Sequence, residues 1–373
     1  MHQSILMRLG QGAAAGAFVM AAGTVSAQEN NARFYGFLNP IIVSVDDGFS
    51  TNTQLVDNSN APSRIGLWWE TGMASGTLKF NFETALGIRG ATSISQGTPD
   101  PDFLNYTRAS LRKVEFIYEG NFGTISLGQG SMSTDGMAGA DLSGTGFIST
   151  RSISDLSAGY SFRVAGTGAT NPGRTVGGVF NDFDGGRLGR LRYDTPRFGG
   201  GFAVGASVGE NILVSGADDL NYDISLFYDA DRGGMKYSGR LGAGWVDGAN
   251  GNPDNTSVVG SFSALHLDSG INGTLVAGWR DNSGLGSNYV YTKLGVRRDW
   301  LSWGETRLSA DFFWGNDSVI SGDNGFTWGL QGTQVIESAN MEVYVSYRQH
   351  QYEEPGVSYE DVGVWGIGGR WFW

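Results

Sequence analysis

The chain has 373 residues, 60 of them glycine, with no cysteine, 12% aromatic residues and a formal net charge of -12. The lack of cysteine excludes a disulfide framework and any thiolate metal site, and the acidic balance argues against a nucleic-acid partner. Mean hydropathy is -0.19, and beyond the N-terminus no apolar run approaches the ~18 residues of a spanning helix. A spanning sheet is not excluded, because side chains on its two faces alternate in polarity and cancel in any hydropathy window.

Residues 1–27 read as a secretory signal. Arg8 gives a positive start, Ala13 to Ala22 an apolar stretch, and Val25-Ser26-Ala27 a small-residue cleavage site. From Gln28 to Trp373 the pattern is that of one domain, and period-two alternation replaces helical periodicity. In Thr77 to Ile88, Leu78, Phe80, Phe82, Leu86 and Ile88 share one face while Thr77, Lys79, Asn81 and Glu83 share the other. The pattern returns at Leu220, Tyr222, Ile224, Leu226 and Tyr228, interleaved with Asp219, Asn221, Asp223 and Ser225. It returns again at Leu308, Ala310, Phe312 and Trp314 against Arg307, Ser309 and Asp311, and at Met341, Val343, Val345 and Tyr347 against Glu342, Tyr344, Ser346 and Arg348.

Short turns separate the strands at Gly120-Asn121-Phe122-Gly123, Asp231-Arg232-Gly233-Gly234 and Asp268-Ser269-Gly270. Longer polar inserts are expected at Asp46 to Asn60, Asp247 to Asn255 and Gln349 to Gly356. Short turns at one end and long loops at the other define an outer-membrane barrel, here an all-β transmembrane antiparallel barrel of about 16 strands. The count is open by about two, because Gly130 to Gly186 has room for a hairpin. A soluble sandwich or propeller also alternates. The signal and the aromatic strand ends (Trp68-Trp69, Trp300 with Trp303, Trp371-Phe372-Trp373) favour the membrane, where aromatic girdles mark both interfaces.

Four stretches resemble the general diffusion porins of Gram-negative bacteria. Arg33-Phe34-Tyr35-Gly36-Phe37-Leu38-Asn39 is similar to the family's opening strand, and Asn60-Ala61-Pro62-Ser63-Arg64-Ile65-Gly66-Leu67 to its second. Phe122-Gly123-Thr124-Ile125-Ser126-Leu127-Gly128-Gln129 resembles the strand before the third loop. Arg192-Tyr193-Asp194-Thr195-Pro196-Arg197-Phe198-Gly199-Gly200 resembles a later strand. The chain departs by closing on Trp373 rather than Phe, by Asn39-Pro40 at the opening strand, and by Gln129 where the family tends to carry Arg. The proline lacks a ladder donor and implies a bulge or an early strand end.

The resemblance implies an outer-membrane homotrimer, in contact with outer-membrane lipid and lipopolysaccharide, that passes small hydrophilic solutes and ions passively. It also implies that Gly130 to Gly186 holds a long third loop folded into the barrel, with Asp135, Asp141 and Asp155 facing a basic wall. On that wall parity assigns Arg64 to the lumen, since Ile65, Leu67 and Trp69 make the apolar face. The next basic position is Arg112 or Lys113. Val114, Phe116 and Tyr118 face outward, so parity favours Lys113. Arg33, Lys79, Arg190 and Arg192 complete the candidate pore lining. The strongly acidic chain suggests a weak preference for cations.

Catalytic, metal and cofactor patterns are lacking, so no enzyme and no cofactor is expected. His2 falls in the signal, and His266 and His350 have no recognisable catalytic partners. Asp182-Phe183-Asp184-Gly185 lacks the spaced acidic ligands of a calcium loop. Two other readings stay open: a substrate-specific channel, which needs an aromatic track or basic ladder, and a structural or adhesive barrel plugged by Gly130 to Gly186.

Overall fold

The computed structural model describes residues 31–150, 152–282 and 284–373, so the signal expected at residues 1–27 lies outside the described residues. The strands, in chain order, are β1 (Asn31–Leu38), β2 (Pro40–Asp46), β3 (Thr51–Asp57), β4 (Arg64–Met73), β5 (Gly76–Ala85), β6 (Leu111–Gly120) and β7 (Gly123–Ser131). After a long excursion that contains β8 (Ser161–Arg163) and β9 (Thr170–Thr175) come β10 (Arg187–Asp194), β11 (Phe202–Glu210), β12 (Leu220–Arg232), β13 (Met235–Asp247) and β14 (Asn255–His266). The chain closes with β15 (Ile271–Asn282), β16 (Leu285–Leu301), β17 (Gly304–Asn316), β18 (Asn324–Ile336), β19 (Met341–Glu354), the two-residue β20 (Val357–Ser358) and β21 (Val362–Phe372).

Each strand pairs antiparallel with its neighbour, and β21 closes on β1 and β2 through Phe372↔Phe37 and Ile367↔Ile42. The first stave is β1 with β2 and the second is β3 with β4, which makes a closed antiparallel barrel of 16 strands. The stave breaks at Asn39, just before Pro40, and the break is fully bonded. Asn39 N donates to Ser63 Oγ at 2.8 Å, its Nδ2 donates to Ala61 O at 2.9 Å, and Tyr344 O–H donates to its Oδ1 at 2.8 Å.

Alternation decides which face each strand shows. Leu294 is 67% exposed while Lys293, next to it in β16, is 1% exposed. Ile224 lies outward and Asp223 is buried, as are Val345 and Ser346 respectively. Apolar side chains outside and charged ones inside is the reverse of a water-soluble protein, and the outer belt suits lipid. Trp300, Trp303, Trp371 and Trp373 are exposed together at the end of the short turns.

The loop expectations need correction. Asp46 to Asn60 is not a long insert: a tight turn at 47–50 leads straight into β3. Gln349 to Gly356 is mostly strand, because β19 runs to Glu354. Polar residues at the outer ends of barrel strands face the interior or water above the membrane, so polarity does not mark a loop there. The longer connection is 86–110, with one-turn helices at Ala91–Ser93 and Arg108–Ser110. The excursion between β7 and β10 holds a hairpin of β8 and β9 that stands apart from the barrel sheet, and one helical turn, Val176–Val179.

Candidate functional site

The excursion is fastened to the polar faces of strands from β11 to β19. Ser133 N donates to Ser207 Oγ at 2.8 Å, and Thr134 donates to Asp223 Oδ2 from both N and Oγ1, at 2.8 and 2.6 Å. Ala140 N reaches Ser261 Oγ at 3.0 Å, and Lys293 Nζ reaches Asp141 Oδ2 at 2.9 Å and Ser149 O at 2.7 Å. Ser149 Oγ donates to Asp311 Oδ2 at 2.8 Å, and Arg348 Nη2 grips the same carboxylate at 2.7 and 2.8 Å. Beyond them Arg307 Nη1 donates to Gly144 O at 3.2 Å and to Glu342 Oε1 at 2.8 Å. Arg370 on β21 donates to Glu342 Oε2 at 2.9 Å and lies 3.7 Å from the Phe147 ring centroid.

Apolar contact completes the attachment. Ile148, Leu156, Phe162 and Phe180 of the excursion are buried with Ile41, Val43, Tyr289, Tyr291, Phe313 and Val364 of the strands in one cluster. Phe180 meets Phe313 edge-on at 5.6 Å. The strands that carry this docking show apolar residues on both faces: Ile41 is 0% exposed and Ile42 48%.

Across the barrel, β4, β5, β6 and β10 carry a charged surface that remains partly open. Glu83 is its centre. Tyr35 O–H donates to its Oε2 at 3.0 Å, Arg112 Nε to its Oε1 at 2.6 Å, and Arg64 Nη1 lies 3.5 Å from Oε1. Arg64 also donates to Pro62 O at 2.9 Å and sits 4.9 Å from the Phe37 ring centroid. Arg112 and Arg187 both stand within electrostatic reach of Arg64.

The positions expected from sequence divide into groups. Lys113 is 3.6 Å from Glu115, and Arg187 Nη1 is 3.4 Å from Asp135 Oδ2. Arg192 holds Asp194 through two bonds of 2.8 Å and donates to Met132 O at 2.9 Å. Arg190 is turned into the protein, bonded to Glu115, to Ser131 O at 3.0 Å and to Gly128 O at 3.0 Å. Asp141 is likewise buried against Lys293 rather than set opposite an open basic wall. Asp155 is half-buried within the excursion, its N–H bonded to Ser152 O at 3.3 Å. Arg33 and Lys79 are far from Arg64 along their strands. They line a cavity at the turn end with Asn31, Trp68 and Glu70, and Lys79 pairs with Glu119 at 2.8 Å.

Sequence reasoning named Arg112 but set it aside in favour of Lys113, because parity presumes unbroken pairing. The register slips between Glu83 and Thr84, and the bulge brings Arg112 as well as Lys113 to the inner surface. The candidate lining also left out Lys293, Arg307, Arg348 and Arg370, although alternation had placed Arg307 and Arg348 on a polar face and was available as a signal for Lys293 and Arg370 beside outward Leu294 and Trp371.

A closed barrel with an apolar exterior, aromatic rim and charged interior defines an outer-membrane channel. Comparison with known proteins gives the family: the Gram-negative porin family matches residues 13–355, and the chain belongs to it. The protein is an outer-membrane channel for diffusion of solutes, located in the bacterial outer membrane; family and fold are those of channels, not enzymes. Among solved structures, the anion-selective porin from Comamonas acidovorans aligns with a TM-score of 0.62 at 16% identity, over 92% of this chain and 100% of that one. OprB of Pseudomonas putida aligns with a TM-score of 0.62 at 11% identity, over 92% and 94%. The trimer form of Vibrio cholerae OmpT gives 0.57 at 15% identity, over 92% and 99%. These identities establish a shared fold only. No curated protein matches the chain in sequence.

Proposed function

We propose that the protein is a general diffusion porin: a homotrimer whose water-filled pores pass small hydrophilic solutes and ions passively. Residues 130–186 fold into each barrel as the constriction loop, and the outer belt contacts lipid and lipopolysaccharide. The observation that carries this reading is asymmetry. The excursion is bonded and packed against the strands from β11 to β19, while Arg64, Arg112 and Lys113 keep partial exposure on β4 and β6, and Arg187 and Arg192 on β10 meet its first residues at Asp135 and Met132. Charges there act across a narrow aqueous path, orienting polar solutes and disfavouring apolar ones. The trimer form of one structural neighbour supports the homotrimer. A weak preference for cations belongs to the same reading and rests on the formal charge of -12.

The test is a planar bilayer seeded sparsely with purified protein in KCl. Ohmic steps that open or close in threes are expected, with a reversal potential in a salt gradient on the cation side. Silence from folded, heat-modifiable protein would support a plugged structural barrel instead, and an anion-side potential would overturn the cation preference.

A further inference from the structure

At the loop end of the inner wall one arginine makes no hydrogen bond, and Asp182 is the carboxylate whose field reaches it. Arg280 on β15 has no hydrogen bond or ion pair with any of the described residues, and its Nε is buried unbonded. Its guanidinium lies over the Phe183 ring, 4.4 Å from the centroid. Phe183 is fixed from several sides: its N–H donates to Asn181 Oδ1 at 2.8 Å, and its ring meets Tyr289 edge-on at 5.3 Å. Its backbone is left-handed, with φ 55°, a conformation a non-glycine residue keeps only where its surroundings impose it, and such residues gather at ligand sites.

Strand register sets a carboxylate in the same row. Asp223 pairs with Gly244, Gly244 with Ser257, and Ser257 with Arg280, so all four side-chain positions share one face. At about 4.8 Å between strands, the two outer backbones stand roughly 14 Å apart, with only glycine and serine between them. This row floors a cavity of about 560 Å³ that Phe183 and Asp219 also line. Asp223 accepts only from neutral donors, Thr134 and Ser207. Asp219 accepts from Ala249 N at 2.7 Å and Asn252 Nδ2 at 3.0 Å. Among the described residues neither carboxylate has a cationic partner.

We infer that this trough is a binding subsite for small zwitterions of the amino-acid class. Arg280 takes the solute carboxylate and Asp223 with Asp219 face its ammonium. A guanidinium fork matches a planar carboxylate in a two-bond geometry, and the ring behind it holds the fork in place without using a donor. A simple anion meets the two carboxylates, and a simple cation meets Arg280. Only a solute with both charges is matched at both ends. Gly244 keeps the trough open: a Cβ there would stand 3.4 Å from Ser257 Oγ and 3.9 Å from Asp223 Cβ, ordinary contacts that leave a longer side chain to fill the space.

This inference rests on a conducting channel, which steps in KCl alone report separately. Single-channel currents in KCl are recorded with added L-alanine, potassium acetate, methylammonium chloride or glycerol. Alanine is expected to give saturable excess current noise that the other three do not. Its half-saturation concentration should rise at least tenfold in Arg280→Gln and in Gly244→Met, and less in Arg280→Lys, which keeps the charge without the fork. No alanine noise in a conducting wild-type channel overturns the inference, as does acetate noise of equal amplitude or an Arg280→Gln channel with unchanged half-saturation.

Discussion

Lys293→Met is the sharpest probe of how the excursion is held. The Lys293 side chain is 0% exposed, and its ammonium is shared between Asp141 Oδ2 at 2.9 Å and Ser149 O at 2.7 Å. Methionine fills a similar volume, so the change acts on charge. It strands Asp141, whose side chain is only 8% exposed, without its cation. Removing one partner of a buried pair costs about 3–5 kcal/mol. At about 1.4 kcal/mol per decade, the ratio of held to released segment falls roughly 10² to 10⁴-fold. The loss is local, because β16 keeps its ladder to β15 and β17. The Lys293→Met/Asp141→Asn double variant removes both charges, and such replacement of a buried pair is often close to neutral. In bilayer recordings the single variant should show frequent brief current interruptions, and the double variant should return most of the way to quiet currents. A single variant as quiet as wild type, or a double variant as disturbed as the single, would refute the pairing as the tether.

The same pair sets a pH dependence. Burial alone pushes the Asp141 carboxyl up, but Lys293 beside it, helped by Ser143, holds it below the ordinary range. A depressed folded value means the stabilisation is complete above the unfolded value, about 3.9, and fades as pH falls through the lower folded one. Currents should therefore stay quiet from pH 7 down to about 4 and become interrupted only below that, and interruptions between about pH 5 and 7 would contradict it. Glu83→Gln leaves Arg64 and Arg112 without their shared carboxylate. The reversal potential in a KCl gradient should move toward the anion side, and an unchanged potential would place this cluster off the ion path. Leu275 on β15 is 56% exposed, so Leu275→Arg sets a cation against lipid at a cost of about 2–4 kcal/mol, read as a lower urea midpoint for the folded barrel in vesicles.

The barrel was legible because alternation follows from its two solvents. Tyr222, Ile224 and Leu226 against Asp223 and Ser225 are satisfied by a sheet with an apolar medium on one side and polar surroundings on the other, and the aromatic strand ends made that medium lipid. Parity worked wherever the ladder is unbroken, and failed at Arg112, where a single slipped residue turns a side chain from one face to the other. Pairings such as Asp141 with Lys293, 152 residues apart, leave no local pattern, since each residue obeys the alternation of its own segment or none.

One signal in the sequence does bear on the excursion. Tyr289-Val290-Tyr291 and Phe312-Phe313 are apolar on both faces, in violation of the alternation around them. Val290 and Phe312 face outward, while Tyr289, Tyr291 and Phe313 are almost wholly buried inside. Inward apolar residues would be costly against water, and here Phe180 and Phe183 cover them. Two-faced apolarity in a barrel strand therefore marks where something docks inside. The strands β4, β5, β6 and β10 place Arg64, Asn81, Glu83, Lys113, Glu115 and Arg192 inward, opposite outward Ile65, Phe82, Val114 and Leu191. Violations at β2, β16, β17 and β21 mark the side filled by the apolar residues of the excursion, and the polar inner faces of β4, β5, β6 and β10 mark the side assigned to the pore.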